Sequence, residues 1–256
     1  MAATKALVLI TGANQGLGFA AATHLANTGR YHLLMAARSR EKAEAAIQEL
    51  QSKSSTVDTA AFTPLVLDVT DDDSIRAAAQ EVTDRFGSLD ILINNAGISR
   101  PADPTLGLRE SYRAVFELNV FGVAVMTATF LPLLRASTYP DRRIVNVSSG
   151  LGQIGIALSP SSPYNVNAFA LPVYRSSKTA VNMITAVDAV TLAKEGILAV
   201  AVDPGYCRTN FNGNRGLKDP VLGAQAIVRA ATEGNPKEMV GSFVDDDNSL
   251  AEFGWQ

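Results

Sequence analysis

Short runs of apolar residues alternate along the chain with longer stretches in which apolar and polar positions recur at helical spacing. Residues 7–10, 32–36, 65–67, 91–93, 144–147 and 198–202 are apolar runs of strand length. Between them, 18–27, 40–51, 72–86, 109–134, 173–194 and 220–232 carry the amphipathic or alanine-rich pattern of helices, with Asp71 or Thr70 placed to cap the third. The strand segments are apolar almost throughout. A sheet with one face in water would alternate polar and apolar positions, so continuous apolar strands imply a mainly parallel sheet covered by helices on both faces. The pattern predicts an α/β fold. No fixed-period repeat and no low-complexity linker divides the chain, so residues 1–256 read as a single domain, with a Pro/Ser/Asn-rich loop at 158–172 inside it.

Composition narrows the function classes. A formal net charge of −3 over 256 residues offers no basic footprint for nucleic acid and no polybasic anchor for an anionic membrane. The uncharged, strongly apolar stretch 118–134 contains Asn119 and Pro132 and is short for a bilayer span, so a buried helix is expected there. Residues 1–5 lead straight into the first apolar run without a signal-like segment, and the single cysteine, Cys207, excludes an intramolecular disulfide. Together these features suggest a cytoplasmic protein. His24 and His32 have no zinc-ligand spacing, and the acidic runs 71–73 and 245–247 lack the glycine and distal glutamate of a calcium loop, so no metal is expected.

The first strand runs into Thr11-Gly12-Ala13-Asn14-Gln15-Gly16-Leu17-Gly18, followed by a helix. Glycines here permit a tight bend and let backbone N–H groups at the helix start approach a pyrophosphate, so Gly12, Asn14, Gln15, Gly16, Leu17 and Gly18 are candidate cofactor contacts. The second strand ends near Ala37. An enzyme selecting a ribose 2′-hydroxyl would place an acid there; Arg38 and Ser39 stand instead, and a guanidinium beside a hydroxyl suits a 2′-phosphate. NADP(H) is therefore expected over NAD(H), the competing reading of Arg38 being a solvated residue at the start of the next helix. Asp68-Val69 and Asn95-Ala96-Gly97 end the third and fourth strands, where the ligand crevice of an open α/β sheet lies. Asp68 suits an adenine amino group or a helix cap, and Asn95 a cofactor contact or a turn.

Tyr174 and Lys178 fall four apart on one helix face, a spacing that lets an ammonium stabilise a phenolate and lower the phenol pKa for acid–base work. Alone, the pair reads equally as a surface pair. Taken in order, Thr11-Gly12-x3-Gly16-x-Gly18, Asp68-Val69, Asn94-Asn95-Ala96-Gly97, Asn119, Ser148-Ser149, Tyr174-x3-Lys178 and Pro204-Gly205-x3-Thr209 resemble the short-chain dehydrogenase/reductase family from about Leu7 to Thr209. Gly241-Ser-Phe-Val-Asp and Trp255 also resemble its monomeric carbonyl-reductase branch.

That resemblance implies a doubly wound, Rossmann-type, mainly parallel seven-stranded sheet. It implies that Tyr174 donates a proton to the carbonyl oxygen, that Ser149 hydrogen-bonds that oxygen, and that Lys178 binds the nicotinamide ribose and tunes Tyr174. Asn119 would hold a relay water, and Pro204, Gly205, Cys207 and Thr209 would close over the cofactor. Compared with shorter family members the chain carries extra residues before Tyr174. They imply a substrate-loop insertion around 150–172, with Ile154, Ile156, Leu158, Tyr164 and Phe169 walling the cleft, and a lid around 206–220. Tyr164 is excluded as the catalytic tyrosine because Ala168, not lysine, follows at the fourth position. The expected activity is NADPH-dependent reduction of a hydrophobic carbonyl by a monomeric enzyme. The alternatives are NADP-dependent alcohol oxidation and a non-redox NADP(H)-binding sensor or biosynthetic scaffold.

Overall fold

The computed structural model describes residues 5–53, 58–246 and 250–252. Its eight strands form one sheet in the order β3-β2-β1-β4-β5-β6-β7-β8. They are β1 (Ala6–Ile10), β2 (Tyr31–Ala37), β3 (Phe62–Val66), β4 (Ile91–Asn94), β5 (Arg142–Val147), β6 (Ile197–Val202), β7 (Ser242–Val244) and β8 (Leu250–Glu252). The first seven are parallel and β8 adds an antiparallel edge. The chain starts at the centre, winds out to β3 and returns to β4 beside β1. The order therefore reverses between β1 and β4, which is where open α/β sheets hold ligands. Trp255 lies outside the described residues.

The strands are apolar on both sides because both sides are covered. Val8, Ile10, Leu33 and Met35 face one layer with Leu25 of α1 (Gly16–Asn27), Ile47 of α2 (Arg40–Lys53) and Ile227 of α8 (Pro220–Thr232). Leu7, Leu9, Leu34 and Leu92 face the other, with Ile75 of α3 (Asp72–Phe86), Phe130 of α5 (Gly122–Ala136) and Leu192 of α7 (Pro172–Leu192). Alternate residues of one strand thus feed two separate cores. Asp71 caps α3 by accepting from the Asp73 N–H at 2.9 Å, and Asp219 caps α8 through Val221 N–H at 2.8 Å.

Two features depart from the pattern-based expectation. The stretch 109–134 is not one regular helix: α4 (Leu108–Phe116) and α5 are joined by a π-helical turn, Glu117–Phe121, which contains Asn119. By length and composition Leu108–Ala136 would reach across a bilayer. Its Met126, Phe130 and Leu134 are instead buried against the sheet. A short helix, α6 (Ile154–Leu158), leads into the expected loop 158–172, which forms a series of turns. Arg143, on β5, is fully buried and was not legible from apolar patterning. Its guanidinium pairs with Asp141 and donates to the carbonyls of Ala230, Glu233 and Gly234, which tie off the C-terminal end of α8.

Candidate active site

The C-terminal ends of the parallel strands place the motif residues along one edge. At the end of β1, Gly12 and Gly16 have φ of +63° and +57°, the left-handed region where a side chain is strained. Gly18 meets a different demand. A Cβ there would sit 2.5 Å from Asn95 Nδ2 and 2.7 Å from the Gly12 carbonyl oxygen, so the turn closes only around a hydrogen. Asn95 holds the turn in place, donating from Nδ2 to the Thr11 carbonyl at 2.8 Å. Thr11 Oγ1 in turn accepts from the N–H groups of Asn95 and Ala96, both at 2.9 Å. Asn95 thus supports the cradle from behind. Gln15 is exposed at the start of α1, Asn14 and Leu17 are part-buried, and Thr209 packs its methyl against Gly16 from the opposite wall.

Arg38 is exposed at the end of β2 and makes no hydrogen bond or ion pair among the described residues. Ser39 is partly occupied, its Oγ accepting a long 3.4 Å contact from the Lys42 N–H. One carboxylate oxygen of Asp68 accepts from both the N–H and hydroxyl of Thr70. The carbonyl of Val69 lies 2.7 Å from where a Cβ on Gly122 would be, so this loop rests on the start of α5. A glycine cradle, a free cation where an acid would repel phosphate, and open backbone at Gly97 fit a nicotinamide dinucleotide.

The catalytic candidates converge. Tyr174 and Lys178 occupy successive turns of α7, 8% and 5% exposed. The buried Tyr174 phenol is near enough to the Ser149 side chain to be influenced by it, and Ser149 Oγ accepts from the Leu151 N–H at 3.2 Å. Lys178 Nζ donates to the Val147 carbonyl at 2.8 Å and lies 5.8 Å from the Tyr174 ring centre. Asn119 is fully buried. Its Oδ1 accepts from Ile98 N–H, and its Nδ2 donates to the Ile98 carbonyl and to Ser177 Oγ, leaving any water contact to its backbone. The Ser177 hydroxyl donates to the Tyr174 carbonyl, connecting the π-turn to α7.

The electrostatics add burial to the spacing argument. Spacing suggests that Lys178 lowers the pKa of Tyr174; burial, reinforced by the charge of Asp203, pushes it up, with the Ser149 side chain opposing. Burial also depresses Lys178 to about 8, partly offset by Asp203. The phenol is thus held in its protonated form.

Cys207 is buried, its Sγ 3.2 Å from the Pro204 carbonyl oxygen and packed against Gly223 of α8. Its thiol faces inward, so a cofactor contact at this position falls to the backbone. Burial pushes its pKa up to about 11.

The segment before α7 forms an apolar rim. Phe169 packs between the rings of Tyr164 and Tyr206 at 5.7 and 6.0 Å, and Phe211 meets the Tyr174 ring edge-on at 5.7 Å. Ile154, Leu158 and Leu171 stay exposed beside them. Arg175 anchors this rim. Its buried guanidinium donates to the carbonyls of Leu151, Tyr164 and Phe169, joining the segment to the residue next to Tyr174. His24 and His32 lie elsewhere, on the Val221 carbonyl and the Thr63 hydroxyl.

Sequence reasoning missed Arg175 and Asp203. Arg175 bonds only to backbone carbonyls, which leave no trace in residue types. Asp203 directly follows β6, so the strand-end rule that singled out Asp68 would have found it.

The short chain dehydrogenase family model matches residues 6–219. The chain is 66% identical over 254 residues to the short-chain dehydrogenase anuI of Penicillium roqueforti, covering 99% of both. It superposes on NADPH-bound carbonyl reductase from chicken fatty liver with a TM-score of 0.79 at 26% identity, covering 97% of this chain and 100% of that one. The carbonyl reductase Sniffer of D. melanogaster gives 0.78 at 25% identity, with 97% and 100% covered. With its ordered motifs gathered on one sheet edge and these matches spanning nearly the whole chain, the protein belongs to the short-chain dehydrogenase/reductase family of oxidoreductases, which work with nicotinamide cofactors.

Proposed function

We propose that the protein is an NADPH-dependent reductase of bulky, hydrophobic carbonyl compounds. The observation that carries this reading is the Tyr174 phenol, buried beside Ser149, kept protonated by its surroundings and bordered by an aromatic rim. A protonated phenol is the form a proton donor requires. The similarity to carbonyl reductases, one of them with NADPH bound, supports the same direction.

Gly12, Gly16 and Gly18 would cradle the cofactor's diphosphate, Arg38 its 2′-phosphate, Asp68 its adenine, and Lys178 its nicotinamide ribose. Bound there, the reduced nicotinamide supplies the hydride that reaches the carbonyl carbon. Ser149 donates a hydrogen bond to the substrate oxygen as negative charge develops on it, and Tyr174 delivers its phenolic proton to the same atom. Lys178, next to the phenol, stabilises the phenolate until a proton from solvent restores it. Burial of Tyr174 and Lys178 keeps bulk water from competing for the oxygen. The stretch 150–172 acts as the substrate wall, and 206–220 as the lid carrying Tyr206, Thr209 and Phe211.

The decisive experiment follows NADPH and NADH absorbance with aromatic, aliphatic and quinone carbonyls, comparing the wild type with Tyr174→Phe. Tyr174-dependent oxidation that prefers NADPH and larger apolar carbonyls is expected. Preference for small charged ketoacids would refute the substrate class, and equal use of NADH would refute the cofactor assignment.

A further inference from the structure

Asp203 sits where β6 ends, between two segments that must be aligned for the reaction. One carboxylate oxygen accepts from the Gly150 N–H at 2.8 Å and the other from the Gly205 N–H at 2.9 Å. Gly150 directly follows Ser149, and Gly205 begins the segment that leads to Thr209. The approach is close: a Cβ on Gly150 would lie 2.8 Å from the same carboxylate oxygen, so only glycine lets this amide reach it. Backbone bonds fix the base of the device, Asp203 N–H to the Val244 carbonyl and Ser148 N–H to the Val202 carbonyl, both at 2.8 Å.

We infer that Asp203 is a positioning residue for the reduction, one carboxylate that holds the Ser149 segment and the cofactor-covering segment at a fixed separation. A side chain serving only the local turn would need one of these two bonds. The second crosses to another strand connection and couples the oxygen-binding hydroxyl to the lid hinge.

Both bonds are strongest when the carboxylate is ionised. Asp203 is surrounded closely by protein, and that desolvation lifts its pKa to about 6 despite the two amides, with Asp245 and Asp246 after β7 pushing the same way. Tyr174 and Lys178 on α7, Tyr164 on the rim and Cys207 in the lid feel its charge, while Lys218 is ion-paired to Asp246. Protonation leaves one good acceptor oxygen for two amides. Local opening that removes an amide while the carboxyl stays enclosed raises its pKa further, so both segments should loosen together as pH falls through about 6, although global unfolding, which hydrates the carboxyl, is disfavoured by the same protonation.

The effect on turnover rests on the reductase reading, but the mechanical coupling is measurable without it. Hydrogen exchange of the cofactor-free wild type, corrected for intrinsic rates, is followed at the Gly150 and Gly205 amides from pH 7.5 to 5. Protection at both is expected to fall about tenfold with one midpoint near 6, the loss of one charge-assisted bond. Unchanged protection, or amides that respond separately, overturns the inference. In Asp203→Asn, at saturating cofactor, kcat is expected to drop at least tenfold at pH 7 and the acid limb near 6 to vanish. The cofactor's own phosphate ionises near 6, but at saturating cofactor its binding no longer sets kcat, so an acid limb retained in the variant also overturns the inference. Should Asp203→Asn fail to fold, the wild-type exchange experiment decides alone. Coupled exchange in a protein that reduces no carbonyl would sink the reductase reading and leave the clamp standing.

Discussion

On the β1–β4 side of the cleft, the surface offered to a ligand is mostly backbone: a glycine turn, the loop at Asn95 to Gly97, and side chains such as Thr11 that face inward to brace it. On the β5–β7 side it is mostly side chains: Ser149, Tyr174, Lys178 and an aromatic rim held by Arg175. Backbone amides suit a ligand whose diphosphate never varies. Side chains suit chemistry that needs an ionisable group and a substrate that varies among relatives. The two sides should accordingly fail differently, the first in cofactor binding and the second in turnover.

The largest effect belongs to the side-chain half. Tyr174→Phe should lower kcat by about 10²–10⁴-fold with cofactor affinity, read by fluorescence titration, unchanged; loss of binding instead would erase the division. Next comes Arg38→Asp, which replaces a charge-assisted contact by repulsion and should weaken NADPH about 10–100-fold while sparing NADH. Equal weakening of both would show that Arg38 is merely solvated.

Gly18→Ala tests the backbone half by steric means. Its methyl would meet Asn95 Nδ2 at 2.5 Å, and overpacking of this kind costs about 1–3 kcal/mol. Urea midpoints should fall and cofactor binding weaken, while a neutral result would mean that the turn is looser than described. Arg175→Ala leaves three carbonyls without their donor. Limited proteolysis should then cut between residues 154 and 171 and KM should rise more than kcat falls; resistance equal to the wild type would dissociate the rim from α7. The smallest response is expected at Cys207. With its pKa pushed up to about 11 by burial, the thiolate is scarce at pH 8 and grows only as pH approaches 11, so thiol reagents should act far more slowly than on an exposed cysteine. Rapid modification that cofactor blocks would instead place the sulfur in the cleft.

The same contrast explains what could be read from residues alone. Gly12, Gly16 and Gly18 are legible because few residue types tolerate their geometry, and apolar strands because two covering layers demand them. Helix α3 matches its pattern at both ends, since Asp71 and Gly87 act through local bonds. The π-turn around Asn119 is hidden, because its one-residue widening leaves helical periodicity almost intact. Arg143 and Arg175 look like surface charges in sequence, yet they bond to carbonyls up to 91 and 24 positions away. The direction of the Tyr174 shift is equally invisible. Spacing fixes its distance from Lys178, but desolvation depends on how the whole cleft closes around it.

The electrostatics of the cleft also bear on folding. Asp203 has an ordinary value of 3.8 and titrates near 6 in the fold, so its favourable contribution to stability is complete in acid and disappears as pH rises through about 6. Lys178 moves from 10.5 to about 8, so between those values stability increases with pH, and below 8 that gain is absent. At neutral pH both groups are therefore held in the charge state that folding disfavours, at about 1.4 kcal/mol for each pKa unit. The charged forms of Asp203 and Lys178 thus set the cleft against the stability of the fold, and thermal tolerance must be supplied by the two apolar layers beneath it.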